Sequence, residues 1–292
     1  MGRSLLESDA SVEKNLKAVR YIVAVAAGKG GVGKSSLSVN LALCLQKAGY
    51  QVGIFDADIY GPSLGMMMPL EKPLNVSEDK ILPGLFQGVK VVSLSHLRPS
   101  SQGLMVRAPV ANGLILECMK KISWGELDYL IVDFPPGTGD IQLTLMQTLP
   151  LSGALLVTTP QEISLLDVGK AAHMFHQMGV PIVGVVENMS YFIDQVGVTH
   201  RFFGEGGGKK ISDSFGCPFL GQVPIDPEVS RCGDLGIALP FAFEASPASL
   251  AFKEIARKAA EVLYTLEEAE KVCLSKQFEY VWKEMETDAC LS

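Results

Sequence analysis

The chain has 292 residues, 48% of them hydrophobic and 20% charged, and a formal net charge of −7 from 25 basic and 32 acidic side chains. That composition suits a globular chain with a sizeable core and argues against disorder, and the acidic balance argues against a broad nucleic-acid footprint. No apolar stretch reaches the ~20 residues needed to span a bilayer, and Met1 to Arg20 has neither the apolar run of a secretory signal nor the Arg-rich character of a transit peptide, so the expected address is cytoplasmic, with no membrane and no nucleic-acid partner.

In chain order, residues 1–19 read as a short lead-in. The run Tyr21–Ala26 reads as a buried strand, and similar Val- and Ile-rich runs recur at Val52–Phe55, Val89–Leu94, Tyr129–Val132, Ala154–Val157, Ile182–Val186 and Phe219–Val223. Continuous rather than alternating hydrophobicity suits parallel strands covered on both faces. Helical patterns fill the gaps at Lys34–Ala48, Val110–Lys121, Ile141–Leu149, Leu165–Met178 and Gly207–Phe215, and residues 245–285 are helical again. Strand–helix alternation predicts an α/β fold, a doubly wound and mainly parallel sheet flanked by helices. One domain over residues 20–265 takes in these elements, and residues 266–292 read as a C-terminal helical tail. Between Gly61 and Gly88 four prolines and four glycines interrupt any pattern. A loop of that length suits a lid or a partner surface, and equally a plain excursion.

The decisive motif follows the first strand and opens the first long helix. Gly28-Lys29-Gly30-Gly31-Val32-Gly33-Lys34-Ser35 matches the P-loop pattern G-x-x-x-x-G-K-S/T. Its glycines let the backbone turn tightly and aim N–H groups at phosphate oxygens, and the helix start adds its positive dipole end. Lys34 places a charge on the phosphates, and the Ser35 hydroxyl is a hard ligand for Mg²⁺. The strand Tyr129–Val132 ends in Asp133, which can orient the Mg²⁺ shell, and the turn through Gly137 can sense the γ-phosphate. The strand Val52–Phe55 ends in Asp56-Ala57-Asp58, two carboxylates on one side of an extended segment. One can work on metal-bound water while the other positions the attacking water.

Lys29 ahead of Gly30 and Gly31 resembles the deviant P-loop of the MinD/ParA/nitrogenase iron-protein class. Within that class the segments GKGGVGKSS at 28–36, FDADIYGPS at 55–63, VDFPPGTGD at 132–140, VVENMSYF at 185–192, HRFFGEGG at 200–207 and GQVPIDPEV at 221–229 resemble the Mrp/ApbC-type ATPases that carry or assemble iron–sulfur clusters. The resemblance covers residues ~20–265 and is to a short form, with a brief lead-in where many members carry an extra domain. It implies a homodimer holding ATP and Mg²⁺, with the nucleotide on Gly28 to Ser36, that is Gly28, Lys29, Gly30, Gly31, Val32, Gly33, Lys34, Ser35 and Ser36. It further implies that Lys29 reaches the nucleotide of a partner subunit and that Asp58 orients the attacking water. Ser35 and Asp133 serve Mg²⁺ in this scheme, Asn188 reads the adenine edge, and Pro224 and Asp226 wall the base. The implied partners are apo iron–sulfur clients or assembly factors.

One departure concerns the cluster. The family often carries a C-x-x-C after its SYF segment, and here Asp194 and Gly197 stand at those positions. A 4Fe–4S cluster wants soft thiolates, which Asp and Gly cannot supply. The six cysteines, Cys44, Cys118, Cys217, Cys232, Cys273 and Cys290, include no C-x-x-C and read as free thiols. Cys217 and Cys232 could meet across the last strand, although separate buried thiols are the simpler expectation, and His200 reads as an ordinary loop or core histidine. Three functions follow: an ATPase that carries iron–sulfur clusters, a MinD/ParA-like positional switch, or a family member that has dropped the cluster and kept the ATP-driven partner switch.

Overall fold

The computed structural model describes residues 10–59, 61, 63–93 and 108–289. Leu94, Cys290 and the first nine residues of the lead-in lie outside the described residues, as does the side chain of Cys273. The elements run α1 (Ala10–Leu16), β1 (Val19–Ala27), α2 (Lys34–Lys47), β2 (Val52–Asp56), α3 (Leu64–Met67), β3 (Asn75–Val76), β4 (Ile81–Leu82), β5 (Gly84–Phe86), β6 (Val89–Ser93), α4 (Ala108–Lys121), β7 (Leu127–Asp133), α5 (Asp140–Thr148), β8 (Gly153–Thr158) and α6 (Glu162–Gln177). They continue with β9 (Ile182–Glu187), β10 (Phe192–Ile193), β11 (Thr199–His200), α7 (Gly207–Phe215), β12 (Phe219–Gln222), α8 (Pro227–Leu235), α9 (Leu239–Ala242) and α10 (Pro247–Ala289). Every apolar run read as a strand lies in one sheet, of order β12-β9-β8-β1-β7-β2-β6-β5.

All neighbours in that sheet are parallel except β5 and β6, an antiparallel hairpin at the edge. Alternate residues of β1 divide between two cores. Ile22, Ala24 and Ala26 join Phe55, Val132, Phe134 and Phe175 on one face, under α1, α4, α5 and α6. Tyr21, Val23, Val25 and Ala27 join Leu37, Leu41, Ile131 and Phe252 on the other, under α2 and α10. Burial on both faces is the reason these strands read as unbroken apolar runs. Among the described residues no helix is long and apolar enough to cross a membrane.

Three sequence expectations change. The long loop expected over 61–88 holds α3, the β3–β4 ladder and β5, the last joined to β6 through Gln87 and Gly88 at φ 48° and 80°. Strands of two or three residues between prolines are too short to carry a period. The described end of the lead-in joins the core, because α1 buries Val12 and Leu16 in the cluster of the α4 face. The expected tail boundary at 265 falls inside α10, which runs unbroken to Ala289.

Leu16 is 4% exposed, and Leu16→Ala is expected to lower the unfolding free energy by about 2–4 kcal/mol. Urea denaturation measures it, and an unchanged midpoint would mean that α1 is not docked in solution.

Candidate functional site

At the C-terminal ends of β1, β7 and β2 the chain turns into three polar loops. The P-loop leaves β1 and ends at Gly33, whose φ of 83° precedes α2. A side chain is excluded at both ends of this loop. A Cβ on Gly28 would lie 2.0 Å from the main-chain carbon of Asp167 on α6, and one on Gly33 would lie 2.1 Å from Asn188 Nδ2. Around Gly30 and Gly31, by contrast, a Cβ would meet nothing within 4 Å. The loop is thus fastened at its ends and open in the middle, where backbone N–H groups can face an anion. Val32 is buried, Ser36 is half-buried and accepts from Asn40 at 2.8 Å, and Lys29 is half-exposed with no ion pair among the described residues.

Asp133 is fully buried and gathers the cations and hydroxyls of α2. Lys34 Nζ lies 2.8 Å from its Oδ1, Ser35 Oγ donates to Oδ2 at 2.6 Å, and Ser38 Oγ donates to Oδ1 at 2.7 Å. Asp56 stands beside it in the β2–β7 register. Its carboxyl is pushed up to about 7, first by burial and then by the charge of Asp133, against the pull of the Ser93 hydroxyl and the Asp58 amide. Asp58 is 8% exposed and accepts from the amide of Gly61 at 3.1 Å. The amide of Gly137 donates to Ala27 at 3.2 Å, which ties the turn after β7 to the root of the P-loop. Lys34, Ser35, Asp58, Asp133 and Gly137 therefore share one strand-end cluster.

The other expected residues form a second wall. Asn188 is buried and donates from Nδ2 to the carbonyl of Val32 at 2.9 Å, so it meets the P-loop directly. Pro224 is buried, and the loop beside it is laced to the one after β9 by Ser190 N to Val223 O and Ile225 N to Tyr191 O. Asp226 is committed to the fold: it caps α8 through the amide of Glu228 at 2.9 Å and accepts from the amide of Ala248 at 3.4 Å. Its side chain is half-exposed and braces the wall.

The C-x-x-C region is the β10–β11 hairpin. Asp194 Oδ1 accepts from the amides of Val196 and Val198 at 3.0 and 2.9 Å, and Oδ2 meets His200 Nε2 at 2.8 Å. The His200 hydrogen bond, with the Val198 amide, holds the Asp194 carboxyl below its usual range. His200, expected as a loop or core residue, stacks on Phe202 at 5.8 Å. Cys217 and Cys232 do not come together: Cys217 packs on the α4 face of the sheet and Cys232 on the α2 face. Burial pushes all four described thiols up, Cys44 to about 12 and Cys118 to about 11. Among the described residues no three His, Cys, Asp or Glu side chains are grouped to hold a metal ion. Among the described residues no group of side chains fits a 4Fe–4S cluster, whereas the open P-loop with Lys34 and Ser35 fits a nucleotide phosphate and Mg²⁺.

Sequence reasoning missed three polar residues here. Ser38 and Ser93 hold the two aspartates, and each sits among apolar neighbours, which is the signal that was available. Glu187 is fully buried with no ion pair among the described residues, and it accepts from Ser190 Oγ at 2.5 Å, Gln222 Nε2 at 2.8 Å and Gly208 N at 2.7 Å. It pins α7, β12 and the loop of Asn188 to one point. Glu187→Ala strands three donors and is expected to cost about 1–3 kcal/mol for each that finds no water. Glu187→Gln can keep most contacts if Gln222 turns its amide, and is expected within about 1 kcal/mol of the parent. Urea unfolding of both variants decides, and equal stability of Glu187→Ala and the parent would remove Glu187 as the anchor.

Comparison with known proteins agrees with this geometry. The ParA family model, described as NUBPL iron-transfer P-loop NTPase, matches residues 18–260. The iron-sulfur cluster carrier protein of Deinococcus radiodurans is 44% identical over 254 residues, covering 86% of this chain and 72% of its own length. That of Pyrococcus abyssi is 42% identical over 273 residues, covering 89% and 92%. A nucleotide-binding protein from Archaeoglobus fulgidus, solved in complex with ADP, has a TM-score of 0.70 and 38% identity, covering 80% of this chain and 93% of that one. The cell division ATPase MinD of Pyrococcus furiosus shares the fold, with a TM-score of 0.63 and 22% identity over 83% of this chain and 99% of its own. The P-loop, its aspartate partners and these matches lead to one conclusion: the chain belongs to the ParA-type NUBPL iron-transfer P-loop NTPase family.

Proposed function

We propose that this chain binds and hydrolyses ATP with Mg²⁺ and works as a nucleotide-switched homodimer that serves iron–sulfur cluster clients, the cluster being cargo. The observation that carries the reading is the Lys34–Asp133–Ser35 constellation below an open P-loop. Lys34 would turn from Asp133 to hold a phosphate, and the Ser35 hydroxyl would turn from it to hold Mg²⁺. Ser38 keeps Asp133 oriented after both have turned away, so the carboxylate stays available to the Mg²⁺ shell. Mg²⁺ supplies neutralising charge on the phosphates.

The remaining roles follow from which atoms are left uncommitted. One oxygen of Asp58 accepts from Gly61, and the other, without a hydrogen bond among the described residues, can orient a water for attack. Asn188 donates its amide to Val32, which leaves Oδ1 as an acceptor. An acceptor suits the exocyclic amine of adenine and opposes the keto oxygen of guanine, so the pocket favours ATP over GTP. Pro224 supplies an apolar wall for the base. Lys29 makes no ion pair among the described residues, which leaves it available to reach the nucleotide of a second copy. The names of the curated relatives support the cluster-carrier reading. A second reading is favoured by the hairpin, where both oxygens of Asp194 are already engaged: the chain acts on its clients through the nucleotide switch without holding a cluster there.

Lys34→Ala is expected to weaken ATP binding more than about tenfold, because a charge-assisted phosphate contact is lost. Asp58→Ala should leave binding nearly intact and slow hydrolysis about a hundredfold, and Lys29→Ala should weaken ATP-dependent dimers in sedimentation. Normal turnover by Asp58→Ala together with poor binding would reverse the role assignment. Anaerobic reconstitution with iron and sulfide separates the two client readings. A colourless protein with intact ATPase activity supports the switch without a cluster, whereas a stoichiometric absorption near ~400 nm that is lost in Cys217→Ser or Cys232→Ser restores the carrier with relocated ligands.

A further inference from the structure

At the opposite end of β1 and α2 from the P-loop, a half-open cavity of about 1010 Å³ lies between α2, α9 and α10. That volume is at the upper end of the range of ligand pockets. Its aromatic wall is a tyrosine cluster. Tyr21 and Tyr129 stack with centroids 5.3 Å apart, and Tyr50 meets Tyr129 edge-on at 5.1 Å. Small residues, Ala48, Ala256 and Ala260, line it where larger ones would fill it. Tyr50, Leu250 and Tyr264, 40%, 54% and 55% exposed, present apolar surface at its rim. One side is latched, because Glu267 accepts from both the Tyr21 hydroxyl and Arg20.

Two polar groups on this cavity have no partner among the described residues. Tyr129 is 4% exposed, yet its hydroxyl makes no hydrogen bond among the described residues. Burial raises its pKa, so it is a neutral donor. The hydroxyl oxygen is not itself fully buried and opens onto the cavity, where an acceptor on a ligand can meet it. Most other lining charges are paired: Lys47 with Glu244, Arg257 with Glu254 and Glu261, and Glu254 also with Lys258 from outside the cavity. Lys253 lines the same cavity and makes no ion pair among the described residues. An apolar slot walled by tyrosine rings, with one unmatched cation and one unmatched donor, is complementary to a flat ring bearing an acidic group.

We propose that this cavity is a second ligand site, separate from the nucleotide site, for a small planar aromatic anion, with Lys253 and the Tyr129 hydroxyl on the anionic group and the ring against Tyr50 and Tyr264. The probe is 1-anilinonaphthalene-8-sulfonate, titrated by fluorescence into the full chain with and without ADP and Mg²⁺. One molecule is expected to bind per chain, in the presence of ADP as in its absence. Tyr129→Phe, which removes one hydroxyl, should weaken binding about fivefold. Lys253→Glu, an exposed change with little folding risk, should weaken it about tenfold or more, and Ala260→Trp, which fills the slot, should abolish it. Thermal melting and ADP affinity confirm that each variant is folded. The proposal is overturned if binding survives Lys253→Glu and Ala260→Trp, if ADP displaces the probe competitively, or if the signal is lost instead in Phe202→Ser, which would place the probe on the exposed hairpin.

Discussion

A carboxylate with no exposed surface, Asp133, is the constraint on which this molecule is organised. A charge at the end of a central strand, inside the sheet, is tolerable only with an opposite charge and hydrogen bonds delivered to it. All three come from the start of one helix, as Lys34, Ser35 and Ser38. That requirement fixes the rotation of α2 about its axis and its distance from β7, and so fixes the span of the P-loop joining α2 to β1. The arrangement is also labile by design, because its cation and one of its hydroxyls are the groups a phosphate and Mg²⁺ would claim.

The sheet order sets who stands next to Asp133. β7 lies between β1 and β2, so Val25 flanks the aspartate on one side and Asp56 on the other. Two neighbouring buried carboxylates cannot both be fully charged at low cost. The structure resolves this unevenly, giving the lysine to Asp133 and leaving Asp56 with a hydroxyl, an amide and a raised pKa. The chain also reverses direction here, moving out from β1 to β2 and β6, back to β7, and then to β8 on the far side. Such a switch opens a crevice at the strand ends; the P-loop enters it from β1 and the Asn188 loop from β9, on the far side of β8.

Much of this was legible in the residues. Strands buried on both faces cannot hide their character, and each of the seven apolar runs became a strand of the sheet. The P-loop declared itself because its chemistry and its conformation demand the same few residue types at fixed spacing. What stayed hidden was of two kinds. Short elements such as β3, β4 and β5 carry no period, and α1 offers, among its described side chains, two buried apolar residues, Val12 and Leu16, too few to announce a helix docked on the core. Polar residues whose partners are remote in sequence were also opaque. Nothing near Glu187 announces that Gly208 and Gln222 will return to it, and nothing near Asp226, expected in the base wall, announces that it will also hold the amide of Ala248. The hairpin is intermediate: its lost cysteines were plain, while the closure of Asp194 on His200 and two amides was not.

The close approach of Gly28 to α6 sets a limit on the length of the chain. With the main chain of Asp167 lying where a β-carbon of residue 28 would be, the gap is narrower than a methyl group. A helix advances about 1.5 Å per residue and turns about 100° with each step. One residue gained or lost between the end of β8 and Asp167 would therefore rotate a different side of α6 onto the loop, bringing a side chain where only backbone fits. Insertions that the surface hairpins could absorb are barred from this short connection, whose length is metered by the root of the phosphate loop it never touches in sequence.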